Sequence, residues 1–291
     1  MVCLIFGPRK GGTSLLQRLI DNNNVFSHPT ETNIKHYKKL QHILNEDSDE
    51  KPFFSKYEKY FYTRYEKDIG LDKERYQSHI VESLKDVKTL KDYVLLHVRA
   101  TVEASNNINK DVSVFFIKEV SGDIEKIFAE FLEEFEDGKI VSLRRNPRWV
   151  ARAVLTDRGR RGIKLGLNKK IRQIVDPIYI DKQQIKFVDN PRVITETYED
   201  LIENTEVTMT KIMNFCGCSM ENENLVPTIC GRPTVVVTSS KNEGKVFQQA
   251  DKKLWDDVSK LDYLLLFMGP IFYFIIRLLV NAKSEFHRAF K

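Results

Sequence analysis

Cysteine is scarce in this chain, with four in 291 residues: Cys3, Cys216, Cys218 and Cys230. Four is too few for a disulfide scaffold, and their spacing fits no common four-cysteine zinc site. They read as reduced, mostly buried thiols. Glycine (13) and proline (9) are too sparse for a collagenous or low-complexity chain. Long hydrophobic runs are nearly absent. The first one, residues 2–6, is too short for a signal peptide and ends in a glycine-rich turn, so it reads as a buried first strand in a cytoplasmic protein. No internal repeat is visible. Hydrophobic residues make up 42% of the chain, enough to exclude global disorder. The length suits one large α/β domain or two small ones.

Net charge is also small, +5, but unevenly placed. Residues 144–172 hold eleven Lys/Arg and one acid, Asp157, a local +10 that leaves the remainder at −5. A localised excess points to one anionic ligand site rather than general nucleic-acid affinity; a solvated basic helix is the plainer alternative.

Apolar patterning predicts short strands alternating with helices. Strands are expected at 25–26, 112–117, 140–143 and 193–195. Ile124, Ile127, Phe128, Phe131, Leu132 and Phe135 form a helical stripe, capped by Ser121 or Asp123 and stopped at Gly138. One or two helices are expected from 199 to 215, ending at Gly217. This alternation implies a three-layer α/β fold on a parallel sheet, one domain over 1–291. Residues 38–110 read as a helical insertion or cap. Within it Phe53, Phe54, Tyr57, Tyr60, Phe61 and Tyr65 form a core-facing stripe or the aromatic wall of a cleft. His97, in an apolar helical stretch, reads as a satisfied buried histidine.

The tail, 257–291, contains 18 residues (263–280) with one charge, Arg277, the threshold length for a membrane span. Gly269-Pro270 interrupts it. Tyr273, Arg277, Asn281, Ser284 and Arg288 share one helical stripe, leaving a wide apolar face. Burial against the domain or a partner subunit, a peripheral membrane contact and a span all remain open; so does the oligomeric state.

Residues 7–14, Gly-Pro-Arg-Lys-Gly-Gly-Thr-Ser, follow the first strand and open a helix. That placement makes an anion site, because unpaired backbone N–H groups and the helix dipole favour negative charge. Gly11 and Gly12 admit a close phosphate, Lys10 adds a mobile charge, and Thr13 and Ser14 add hydroxyls. Gly7 and Gly12 have the spacing of a nucleoside-triphosphate loop, but Thr13 stands where that loop requires lysine. No aspartate for magnesium follows a later strand; Arg144-Arg145 follows residues 140–143 instead. The pattern expects a ligand with an additional phosphate and no metal. A magnesium-ATP kinase with a degenerate loop and a non-catalytic binder of anionic polymers are the alternatives.

These residues resemble the sulfotransferase family, which uses 3′-phosphoadenosine 5′-phosphosulfate (PAPS) and releases 3′-phosphoadenosine 5′-phosphate. Arg9-Lys10-Gly11-Gly12-Thr13 is similar to the 5′-phosphosulfate loop of the heparan sulfate enzymes. Pro29-Thr30-Glu31 resembles the Pro-x-Glu step, and Lys118 resembles a strand-end lysine. Residues 139–154 resemble the 3′-phosphate motif, with Arg-Asn-Pro opening a helix. Glu196 to Leu201 resembles the Tyr-Glu-Asp-Leu segment. Ser239, Ser240, Lys241, Gly244 and Lys245 resemble the late loop over the cofactor. The anchors keep family order over residues 1 to about 256.

The resemblance implies a sulfotransferase acting on a hydroxyl of a carbohydrate or lipid-linked acceptor. It implies cofactor contacts from Arg9, Lys10, Gly11, Gly12, Thr13, Ser14, Arg145, Arg152, Lys241, Gly244 and Lys245. Glu31 is the expected base, with His28 and His97 as alternatives, and Lys118 steadies the transferring group or the acceptor. Counting eight residues on from Arg145 reaches Ala153, where the family usually carries a serine. Thr156 would have to supply that hydroxyl, or Arg148 or Arg152 compensate.

Overall fold

The computed structural model describes residues 1–21, 25–28, 72–84, 86–106, 111–120, 122–233 and 260–289. Glu31, the aromatic stripe at 53–65 and the late loop with Lys241, Gly244 and Lys245 lie outside the described residues.

Five strands make one parallel sheet: β1 (Val2–Gly7), β2 (Phe26–Ser27), β3 (Phe115–Val120), β4 (Lys139–Arg144) and β5 (Val193–Thr197), in the order β2-β3-β1-β4-β5. Strand alternation sends successive side chains to opposite faces. Val2, Leu4 and Phe6 of β1 enter one core, and Cys3 and Ile5 the other. Both faces are covered, as a parallel sheet requires.

One layer holds α1 (Thr13–Ile20), α7 (Tyr198–Glu203) and α8 (Thr205–Phe215). The other holds α2 (Lys73–Leu84), α3 (Leu90–Ala104), α4 (Ile124–Glu134) and part of α6 (Leu167–Ile185). The described part of 38–110 is thus helical, and α3 starts at a capping box in which Thr89 and Asp92 satisfy each other's backbone N–H groups. Asp123 caps α4, whose stripe packs Phe128 edge-on to Phe6 at 5.2 Å. Arg192 donates to the carbonyls of Leu132, Phe135 and Glu136, closing the far end of α4.

One expectation is corrected. The strand expected at 112–117 runs at 115–120, which places Lys118 inside β3 rather than at its end. The basic segment 144–172 is not a single element. It spans α5 (Pro147–Arg160), an exposed connection and the start of α6, and Arg144 is tied to Asp181 at 2.8 Å. Helix α6 itself has no clear sequence signal, since Pro177 lies in its interior. Packing of Ile174, Val175 and Ile180 holds it in spite of that residue.

The tail is α9 (Lys260–Ala289). It docks on α5 and α6 through Leu265 and Leu266, which join Ala151, Leu155 and Ile174 in a third apolar cluster. Only a narrow stripe is buried, and most of the wide apolar face is left open along the described side chains. Cys3, Cys216 and Cys230 are buried free thiols and Cys218 is half-buried.

Candidate active site

Chain connections diverge between β1 and β4. After β1 the chain passes through α1 toward β2, and after β4 it passes through α5 and α6 toward β5. Crevices at such switch points, beyond the carboxyl ends of strands, are where open α/β sheets bind ligands. The loop 8–12 lies in this one.

The loop is turned by a hydrogen bond from the Gly11 amide to the Pro8 carbonyl, 2.8 Å. Lys10 takes φ 65° and Gly12 φ 96°, both left-handed. For lysine that conformation costs on the order of 1 kcal/mol, the kind of strain that collects at functional sites. A Cβ on Gly12 would lie 2.2 Å from the Tyr198 ring, so the residue must be glycine for the loop to pass. Gly12 also opens α1 with no side-chain cap, which leaves the first amides to an outside partner. Thr13 is buried, while Ser14 and Arg9 are exposed.

Distant segments brace this loop. Arg145 donates to the Lys10 carbonyl at 2.8 Å and lies 4.1 Å over the Tyr198 ring. Tyr198 therefore sits between Gly12 and Arg145. Thr197 caps α7, and Glu199 accepts from the Asn146 amide at 3.2 Å, tying the β5–α7 corner to the start of α5. Asn146 caps α5 and Pro147 occupies its first turn, which explains why Arg-Asn-Pro opens a helix here.

Lys10 rests in an ion pair. Its ammonium is 3.0 Å from the Asp157 carboxylate of α5, and Asp157 also pairs with Arg161 at 3.2 Å. Burial works against the charge on Asp157, but the hydrogen bonds and charges of Lys10 and Arg161 outweigh it and hold its carboxyl below the usual range.

Lys118 is buried and donates to Gln17 Oε1 at 2.7 Å and Ser14 Oγ at 3.1 Å. The Gln17 amide donates in turn to the His28 carbonyl. One short chain of contacts so links α1, β3 and the end of β2. His28 is fully buried, its ring 4.6 Å from that of His97. His97 Nδ1 lies 2.8 Å from the Tyr76 hydroxyl, and Tyr93 stacks alongside. Burial pushes the His97 imidazole down to about 4, so it is neutral at pH 7. His97 is the buried histidine expected from sequence, and its ring lies against that of His28, the other histidine weighed as a base.

Arg152 is buried on α5 with its guanidinium 5.3 Å from the Trp149 ring. On the same helix the Thr156 hydroxyl is buried and makes no hydrogen bond among the described residues. Sequence reasoning missed Gln17, Asp157 and the position of Tyr198. Each acts through a partner far away in the chain, which no local pattern records.

Fold and crevice together define an α/β protein with a phosphate-binding turn. The sulfotransferase family model matches residues 3–222, and the chain belongs to that family and is a sulfotransferase. No curated protein matches it. Among solved structures it is similar to the sulfotransferase domain of the Synechococcus PCC 7002 olefin synthase, at 17% identity and TM-score 0.55, covering 91% of this chain and 92% of that one. The sulfotransferase domain from the curacin biosynthetic pathway gives 16% identity and TM-score 0.44, covering 77% and 76%. A sulfotransferase from Alicyclobacillus acidocaldarius gives 14% and 0.43, covering 93% and 94%. At these identities the likeness is one of fold, and the first structure carries it.

Proposed function

We propose that the chain transfers the sulfuryl group of PAPS to a hydroxyl of a carbohydrate or lipid-linked acceptor, in the cytoplasm and with peripheral membrane contact through α9. The observation behind this reading is the strained turn at Lys10–Gly12, braced by Arg145, with Lys118 on Ser14 at the start of the next helix. The groups there suit a doubly anionic nucleotide. They are amide, ammonium, guanidinium and hydroxyl donors, and Gly12 lets the loop pass against the Tyr198 ring.

PAPS supplies an activated sulfuryl group on a phosphate leaving group. The loop amides, Lys10 and Ser14 would hold the 5′ end, and Arg9 adds positive potential. Arg145 would hold the 3′-phosphate, with the unpartnered Thr156 hydroxyl in place of the serine that Ala153 replaces. Arg152 is buried beside these groups on α5 and adds positive charge behind them. Lys241, Gly244 and Lys245 are proposed to cover the nucleotide.

Lys10 must turn from Asp157 to neutralise charge building on the leaving phosphate. Lys118, fixed by Gln17 and Ser14, would steady the transferring group. Glu31 would take the acceptor proton. His28 is the alternative base; its carbonyl ends the Lys118–Gln17 chain and its ring lies against His97. The pair Glu31→Gln and His28→Ala separates them: the base variant loses transfer and keeps nucleotide binding.

Thermal stabilisation by 3′-phosphoadenosine 5′-phosphate, compared with ADP, tests the cofactor. At about 100 times its dissociation constant the ligand should add ~2.7 kcal/mol. The expected result is a large shift with the 3′-phosphorylated nucleotide, weakened in Lys10→Ala. Equal shifts with ADP would remove the 3′-phosphate site from the reading.

A further inference from the structure

Helix α9 has two apolar faces. Leu265, Leu266, Gly269 and Tyr273 pack inward, and a Cβ on Gly269 would sit 2.7 Å from Ile174. On the opposite side Leu264, Phe267, Ile271, Phe274 and Leu278 recur every three or four residues and are 50–64% exposed. Such spacing puts them on one stripe. Monomeric soluble proteins seldom leave a contiguous stripe of this kind uncovered.

The α5–α6 connection runs beside the first turns of α9. Leu165 packs into the cluster of Leu265 and Leu266, and Lys170 binds Asp262 at 2.6 Å. Residues 158–172 carry seven Lys/Arg and no acid. Lys164 and Lys169 are exposed, and so are Ile163 and Leu167 next to them in the chain. Apolar side chains ringed by lysines and arginines suit a surface that is anionic outside and apolar beneath. A groove of about 500 Å³ between α6 and α9, lined by Ile171, Val175, Phe272, Ile275 and Ile276, opens next to the stripe.

We infer that this face of α9, together with the 158–172 connection, docks on an anionic lipid bilayer, with the helix lying on the surface. By length and composition residues 261–278 could span, with mean hydropathy 1.7. Their inner face, however, is bound to a folded domain through Lys170–Asp262 and through Lys182, 4.3 Å over the Tyr273 ring. Spanning would break those contacts or draw the charges into hydrocarbon. A second copy covers the stripe less well. An isologous contact uses the same surface twice, and among the described residues the acids beside the connection, Asp176 and Asp262, are already paired with Arg172 and Lys170.

The connection also flanks the transfer site, because Asp157 holds both Lys10 and Arg161. An acceptor hydroxyl presented at the bilayer would thus arrive beside the phosphate loop. That last step rests on the sulfotransferase reading above; the docking surface does not.

Co-sedimentation of the full chain with vesicles tests it, using phosphatidylcholine alone and phosphatidylcholine mixed with phosphatidylglycerol. Binding should be about tenfold or more stronger to the mixed vesicles and fall steeply with salt. Phe267→Asp with Phe274→Asp should reduce it about tenfold or more, and Lys164→Glu with Lys169→Glu should abolish the preference for anionic vesicles. Both variants should keep their stabilisation by 3′-phosphoadenosine 5′-phosphate, which shows that they fold. No binding by the wild type, or undiminished binding by the variants, overturns the inference. So does a concentration-dependent dimer lost in the Phe267/Phe274 variant, which would assign the face to a second copy. Vesicle binding without nucleotide stabilisation would leave the docking surface standing and remove the cofactor reading instead.

Discussion

At its first turn α1 meets solvent with strained backbone, bare amides and two exposed cations, Arg9 and Lys10. Its last turn runs into Asp21, which is buried and satisfied from three sides. The Ser27 amide donates to its carboxylate at 3.2 Å, the Gly231 amide at 2.9 Å and the Thr228 hydroxyl at 3.0 Å. Gly231 and Thr228 belong to a hairpin, β6 (Thr228–Ile229) with β7 (Arg232–Pro233), which Asp21 thereby anchors to the sheet domain. The end with outward-pointing donors is arranged for a ligand, and the end with every partner internal is arranged for stability. Charge location decides this, since an exposed cation attracts an anion from solvent while a buried carboxylate must be paired within the fold.

Three measurements sharpen the contrast or break it. The largest effect is expected from Lys10→Ala. Turnover should fall about 10²- to 10³-fold, as for other residues that stabilise developing charge. Stability should change by less than about 1 kcal/mol, because the Lys10–Asp157 pair is half-exposed. Steady-state kinetics beside urea unfolding reads both quantities, and unchanged turnover would remove Lys10 from the chemistry.

Next comes Asp21→Asn. Burial raises the Asp21 carboxyl from 3.8 to about 6, against the opposing hydrogen bonds of Gly231, Ser27 and Thr228. Between those values the folded state holds a proton that the unfolded state has lost, so Asp21 makes the protein less stable as pH rises through that window. The variant lacks this dependence. Its stability relative to wild type should therefore rise between about pH 4 and pH 7, by up to roughly 3 kcal/mol, with turnover little changed. A stability difference independent of pH would show that Asp21 is ionised alike in both states.

The smallest effect is expected from Asp157→Asn. It frees Lys10 and removes a negative charge beside the anion loop. Affinity for 3′-phosphoadenosine 5′-phosphate should rise roughly two- to fivefold, the range of an exposed ion pair. Isothermal titration measures it, and a loss of affinity would mean that Asp157 positions Lys10 rather than competing for it.

Much of the first end of α1 is legible in the sequence. The loop's residue types are set by the space and charge that a phosphate needs, and those requirements fall within eight consecutive residues. Almost nothing of the other end was legible. Thr228 and Gly231 lie some two hundred residues from Asp21, and each alone is an ordinary residue. Lys118 falls between these cases. Its motif was readable, but the strand register that buries it beside Gln17 was not. The α6 helix was hidden by Pro177, whose local cost tertiary packing absorbs.

For this chain the sequence alone determined the α/β class, the phosphate turn after β1 and the family to which it belongs. Each of these depends on local periodicity or on residues close together in order. Tertiary structure alone decided that Lys10 is held by Asp157 and that Tyr198 fits under Arg145 against Gly12. It also decided that α9 buries its narrow stripe and leaves its wide apolar face outward. These outcomes depend on which surfaces meet in space, and hydrophobic periodicity states only that a face is apolar, not what will cover it.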